Sequence, residues 1–256
     1  MQLLIKSIAN TQLGIFIRNS LNLKPVLVKI TANKYAISVS DAFAWRTDNH
    51  YETMFKYSDI LNLFYKIKNS WVEFHIYSKD NKLLKIEKFT NLNISNEFNI
   101  TAKYLNNIKD YGVFYIYHFS KQKLDNENII SNRCYIGYSK KKKLHSFVHG
   151  NILAKYQQIY PNNQIKTNIV KTSLFKNQNY TIQKFFDGFD KNELFFVNPT
   201  EKIIRFSLED KNYTLYPGCS KIIETISQII TINSNCLFLR PTIFSYKKNY
   251  IDVHHA

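Results

Sequence analysis

Alternation with period two constrains this sequence more than any other feature. In "WVEFHIY", Val72, Phe74 and Ile76 face one way and Glu73, His75 and Tyr77 the other, the pattern of a strand with different surroundings on its two faces. Lys79-Asp80-Asn81 supplies a turn, and "KLLKIEKF" returns as a second strand. "YGVFYIYHF" (111–119) is apolar or aromatic on both faces, as a buried central strand is. Similar short runs continue to the last residues, separated by turn residues at Asn198-Pro199, at Asp210 to Asn212 and at Pro217-Gly218. The helix signal is confined to two places. "SDILNLFYKIKN" has Ser58 or Asp59 as N-cap and Ile60, Phe64 and Ile67 on one face, and "HGNILAKYQQIY" offers a turn or two more.

The same order of strands and turns occurs twice. "VEFHIYSKDNKLLKIEKF" lies beside "LFFVNPTEKIIRFSLEDKN", and "FNITAKYLNNI" beside "YTLYPGCSKII". "YGVFYIYHF" then matches "CLFLRPTIF", and "SKKKKLHSFVHGN" matches "SYKKNYIDVHHA". Self-similarity at this length implies duplicated modules. The expectation is an all-β protein of two tandem antiparallel β-sandwich-like modules with a few short helices. The first module would span 1–155, with residues 1–70 as an extension, and the second 156–256. Val72–Tyr77 and Glu193–Val197 would be equivalent strands.

Composition excludes several functions. The six glycines form neither GxGxxG nor GxxxxGK[ST], so no backbone cradle for a dinucleotide or a P-loop nucleotide exists and no cofactor is expected. Net charge is +16, which suits anionic partners. The lysines are scattered and arginines are few, and the Lys, Asn, Ile and Tyr content is also the bias of AT-rich coding sequence. Nucleic acid is therefore not the favoured partner. Three cysteines without a CxxC form no disulfide framework or zinc ribbon. The N-terminus lacks the basic start of a signal peptide, and no stretch has 18 uninterrupted apolar residues. A soluble, reduced, cytoplasmic protein is expected.

Two places carry candidate chemistry. Asp41 to Asp59 is dense in Trp, Arg and carboxylates: Trp45 would stack on a sugar ring, while Arg46, Asp48 and Glu52 would bond its hydroxyls. The second place is the repeated Val-His phrase. With period two, His149 shares a strand face with Phe147, His254 shares one with Asp252, and His255 points the other way. If the two copies converge, His149, His254 and Asp252 form a polar site. The reading is a binding or accessory protein for a glycan, a glycan precursor or another small polar ligand. The alternative is an enzyme with a His/Asp-centred site, with or without a metal, acting on a small polar or sugar substrate. No metal-ligand spacing such as HxH or HExxH is present.

Overall fold

The structure, a computed structural model, describes residues 11–20, 36–125, 128–131, 134–141, 143–151, 153–160, 166–172, 177–182, 188–227, 229–236, 239–248 and 250–256. The first ten residues, Lys142 of the basic turn, and residues 152, 237, 238 and 249 of the phrases quoted above lie outside them.

In chain order the elements begin with α1 (Gln12–Ser20), β1 (Ile37–Asp41), β2 (Phe43–Arg46), β3 (Tyr51–Ser58), α2 (Ile60–Tyr65), β4 (Ser70–Ser78), β5 (Leu83–Phe89) and β6 (Ser95–Ile100). They continue with β7 (Tyr111–Ser120), β8 (Ile129–Ser131), β9 (Tyr135–Lys140), β10 (Ser146–His149), β11 (Leu153–Gln158) and β12 (Thr167–Asn168). A second group follows: β13 (Gln178–Ile182), β14 (Lys191–Val197), β15 (Ile204–Leu208), β16 (Lys211–Leu215), β17 (Ser220–Thr225), β18 (Ile230–Ser234), β19 (Thr242–Lys247) and β20 (Tyr250–His255).

One topology occurs twice. The first group builds a four-stranded sheet β2-β7-β4-β5, here the Trp45 sheet, and another, β10-β9-β3-β6, here the His149 sheet. The second group builds β13-β18-β15-β16 and β17-β14-β19-β20. Substituting β13, β15, β16 and β18 for β2, β4, β5 and β7 converts the Trp45 sheet into its counterpart. Substituting β14, β17, β19 and β20 for β3, β6, β9 and β10 does the same for the His149 sheet. Every pairing in these sheets is antiparallel.

The equivalences differ from the sequence alignment by one strand. Val72–Tyr77 on β4 corresponds to β15, and Glu193–Val197 on β14 corresponds to β3. The text "strand, polar turn, strand" fits both stretches. In the first it is a hairpin, β4–β5, and in the second it crosses between sheets, β14 to β15. The terminal phrases alone match in place, the end of β9 with that of β19 and β10 with β20. β2 and β3 are therefore strands of the module itself, not of an extension. A boundary after residue 155 also falls inside β11, which pairs with β1 of the first module.

β11 replaces the helix turns expected over "HGNILAKYQQIY". It joins a third sheet, β12-β11-β1-β8, in which β1–β8 is parallel. This sheet departs from the Trp45 sheet at Ala42, between β1 and β2. Beyond that point β7 loses its strand partner on one edge. Ser40 Oγ and Ser38 Oγ accept the N–H groups of Ile116 and His118 instead, each at 2.9 Å, so those buried donors are satisfied by side chains. α2 forms as expected, with Asp59 as its cap: its carboxylate accepts from Asn62 N at 3.1 Å.

The core follows the alternation. Phe43, Phe55, Phe74 and Phe114 meet edge-on, stacked or tilted between the Trp45 and His149 sheets, with centroids 4.7–6.0 Å apart. β14 is buried on both faces. Leu194 and Phe196 enter the second module's core, while Phe195 and Val197 join the first cluster together with Phe244, Tyr246 and Val253. The sheet β17-β14-β19-β20 thus closes one end of the first sandwich.

Candidate functional site

Trp45 does not stand on a loop. It is a β2 residue with 0% exposure, and its indole Nε1 donates to Tyr77 O at 2.7 Å. Gly112 opposite makes this possible: a Cβ there would lie 2.8 Å from the indole nitrogen and closer still to Tyr77 O. No indole face is available to a sugar, which corrects the stacking expectation. The polar residues that suggested a loop are Asp48–His50, a single 3-10 turn between two strands.

Arg46 is also buried. Its guanidinium donates to Asp48 at 2.6 and 3.0 Å, to Glu193 Oε2 at 2.5 Å and to Tyr246 Oη at 3.2 Å. It lies 4.1 Å from the Tyr51 ring centroid and 4.8 Å from that of Phe244. Arg46 therefore fastens the two modules together through Glu193 and Tyr246, and Asp48, half-buried, holds the guanidinium from within the first module.

The repeated Val-His strands do converge. β10 and β20 run side by side: Ser146 Oγ accepts from Val253 N at 2.9 Å and donates to Asp252 Oδ1 at 3.2 Å. His254 Nδ1 sits 3.4 Å from Asp252 Oδ2, as their shared face requires. The residue that meets His149 is His255, with Nδ1 and Nε2 3.2 Å apart and ring centroids 4.7 Å apart. Alternation explains the exchange, because His254 points to the Asp252 side and His255 to the other. Burial lowers the pKa of His255 to about 4, with the charge of His149 acting in the same direction. Burial also lowers that of His254, against the opposing pull of Asp252. Among the described residues, no three His, Cys, Asp or Glu side chains gather as a metal-ligand set.

His149 belongs to a larger surface. Val148 faces the core, so Phe147 and His149 face outward. Their neighbours on that face, read from the β3–β9 and β9–β10 registers, are Glu52, Met54, Lys56, Tyr135, Gly137 and Ser139. The Phe147 ring lies directly over Gly137, where a Cβ would meet it at 2.5 Å. Lys56 Nζ is 5.2 Å from the same ring's centroid. Phe147 is 41% and Tyr135 61% exposed. Glu52 is half-buried on β3, on the same sheet face as His149, and has no hydrogen-bond or ion-pair partner among the described residues. At the His149 end of this face is a hollow of about 610 Å³, lined by Lys56, Tyr57, Ser58, Ser95, Cys134, Tyr135 and His149.

Of the residues singled out from sequence, the structure therefore brings Glu52 and His149 onto one open face. Asp252 and His254 lie along the adjoining seam, and Trp45, Arg46 and Asp48 lie elsewhere. Tyr135 was missed. Its signal was cross-strand position, which a single strand's pattern does not carry. A comparison with protein families, curated proteins and solved structures finds no match to this chain. Among the described residues, no helix is long and apolar enough to cross a membrane.

Proposed function

We propose that the protein is a binding or accessory module for a glycan or glycan precursor, and that the outward face of the His149 sheet is its contact surface. The observation that carries this reading is the open aromatic pair Phe147 and Tyr135 beside Lys56, Glu52 and His149. Exposed ring faces pack against the C–H faces of pyranose rings, while the amine, carboxylate and imidazole exchange hydrogen bonds with hydroxyls. The hollow at the Tyr135–His149 end gives such a chain a terminus to enter. The three free thiols support a reducing compartment, and we place the protein in the cytoplasm.

A His/Asp-centred enzyme is the second reading, favoured by the His254–Asp252 contact at 3.4 Å. Both readings are tested on immobilised neutral and acidic oligosaccharides, probed with the native protein, Phe147→Ala and Tyr135→Ala. The binding reading expects retention of at least one glycan class, lost in both variants without change of melting temperature. Turnover of a glycan, abolished by His254→Ala but kept in Phe147→Ala, would replace it with the second reading.

A further inference from the structure

A second polar cluster lies on the opposite side of the first module, between the Trp45 sheet and the β11–β12 edge of the third sheet. Alternation puts His75 and Tyr77 of β4 and Tyr115 and Tyr117 of β7 on the face turned away from the phenylalanine core. Lys155 of β11 and Lys166, just before β12, reach across to them. Lys166 Nζ donates to His75 Nδ1 at 2.7 Å and to Tyr77 Oη at 3.2 Å. The far side of the His75 ring, Nε2, meets Glu73 Oε2 at 3.3 Å. Lys155 Nζ lies 4.7 Å from the Tyr115 ring centroid and 5.9 Å from that of Tyr77.

Two features of this cluster are unusual in a folded interior. The hydroxyls of Tyr115 and Tyr117 are wholly buried and have no hydrogen-bond partner among the described residues, which costs about 1–3 kcal/mol each unless a ligand accepts from them. Among the described residues, neither lysine has a carboxylate at ion-pair distance. Glu73 is reached through His75, and Glu201 of the second module acts on Lys155 only at longer range. Burial lowers the pKa of both lysines, and the charge of Lys166 adds to this for Lys155. Among the described residues, Lys155 has all three N–H donors unused and Lys166 has one.

We propose that this niche binds a phosphate group, free or as a monoester of a small molecule, held by Lys155, Lys166 and the hydroxyls of Tyr77, Tyr115 and Tyr117. A dianion matches two ammonium groups that have no carboxylate at ion-pair distance among the described residues, whereas a single carboxylate leaves one uncompensated. Its several acceptor oxygens also match the unused N–H and O–H donors. Lys155, Lys166 and Tyr77 are half-buried and lie between solvent and the two fully buried tyrosines, so a phosphate would enter past the lysines. The site is separate from the glycan face and does not depend on that reading.

The test is isothermal titration of the native protein at fixed ionic strength with inorganic phosphate, glucose 6-phosphate, glucose and acetate. Saturable binding of phosphate, of the phosphate ester or of both, with none for glucose or acetate, is expected. Inorganic phosphate binding assigns the free ion, and binding of the ester alone assigns a phosphorylated small molecule. Lys155→Met and Tyr117→Phe should each weaken binding at least tenfold, and Lys140→Met on the far side should leave it unchanged. Lys155→Met removes no hydrogen bond among the described residues, so its fold should persist, and the native titration stands without any variant. The proposal is overturned if the native protein binds neither phosphate compound, or if Lys155→Met and Tyr117→Phe bind as the native protein does.

Discussion

Arg46 and Glu193 join the two modules through one carboxylate oxygen: Glu193 Oε2 accepts from both Arg46 Nη1 and the Tyr246 hydroxyl. Breaking this buried pair from one side leaves the other charge without compensation. Arg46→Met should cost about 3–5 kcal/mol in urea denaturation, and Arg46→Met with Glu193→Gln should recover part of that loss. Burial pushes the Glu193 carboxyl up, but the Arg46 charge and the hydrogen bonds from Tyr246 and Arg46 outweigh it and lower its pKa. Its contribution is therefore complete above the ordinary carboxylate range and is lost as pH falls through the lower folded value. Denaturation midpoints of Glu193→Gln should show a weaker acid dependence than those of the native protein.

Trp45→Ala should destabilise by more than about 3 kcal/mol, the scale for truncating a core aromatic. Trp45→Phe fills most of the space but leaves Tyr77 O without its donor, and should fall between the two. Melting curves of the three proteins check the order.

Ser38→Ala and Ser40→Ala each strand a buried N–H of β7, at His118 and Ile116 respectively. Each should cost about 1–3 kcal/mol. Amide exchange at those two residues should accelerate, while exchange at Phe114, paired within the sheet, should not.

Burial lowers the pKa of His118 and of His255 to about 4. Both are neutral in the fold at pH 6, whereas the unfolded chain takes up protons below about 6.5. Stability is therefore full above that value and declines as pH falls from about 6.5 towards 4. Imidazole proton shifts should show both rings titrating well below an unperturbed histidine. His255→Phe should flatten the acid decline without loss of the fold.

The alternation in "WVEFHIY" was enough to give the two faces of β4, since side-chain direction in a strand is local. The same reasoning put Phe147 with His149, and Asp252 with His254. Pairing was not legible. Strand β14 reads like β4, yet Leu194 and Phe196 face one core while Phe195 and Val197 face another. Nothing in a single strand states which sheet it enters. Trp45 was misread for a related reason: the polar residues Asp48–His50 form a turn, and the strands on either side of it are buried. Lys155 and Lys166 gave no signal at all, because their partners on β4 and β7 are far away in sequence.

The most direct test of the binding face is a two-dimensional amide and aromatic NMR spectrum of the native protein, titrated with the oligosaccharide class that retains it when immobilised. The expected result is shifts concentrated at Lys56, Tyr135, Phe147 and His149, with the resonances of Trp45 and Phe74 in the core unmoved. Shifts confined to the second module, or none at saturating oligosaccharide, would contradict the assignment of this face.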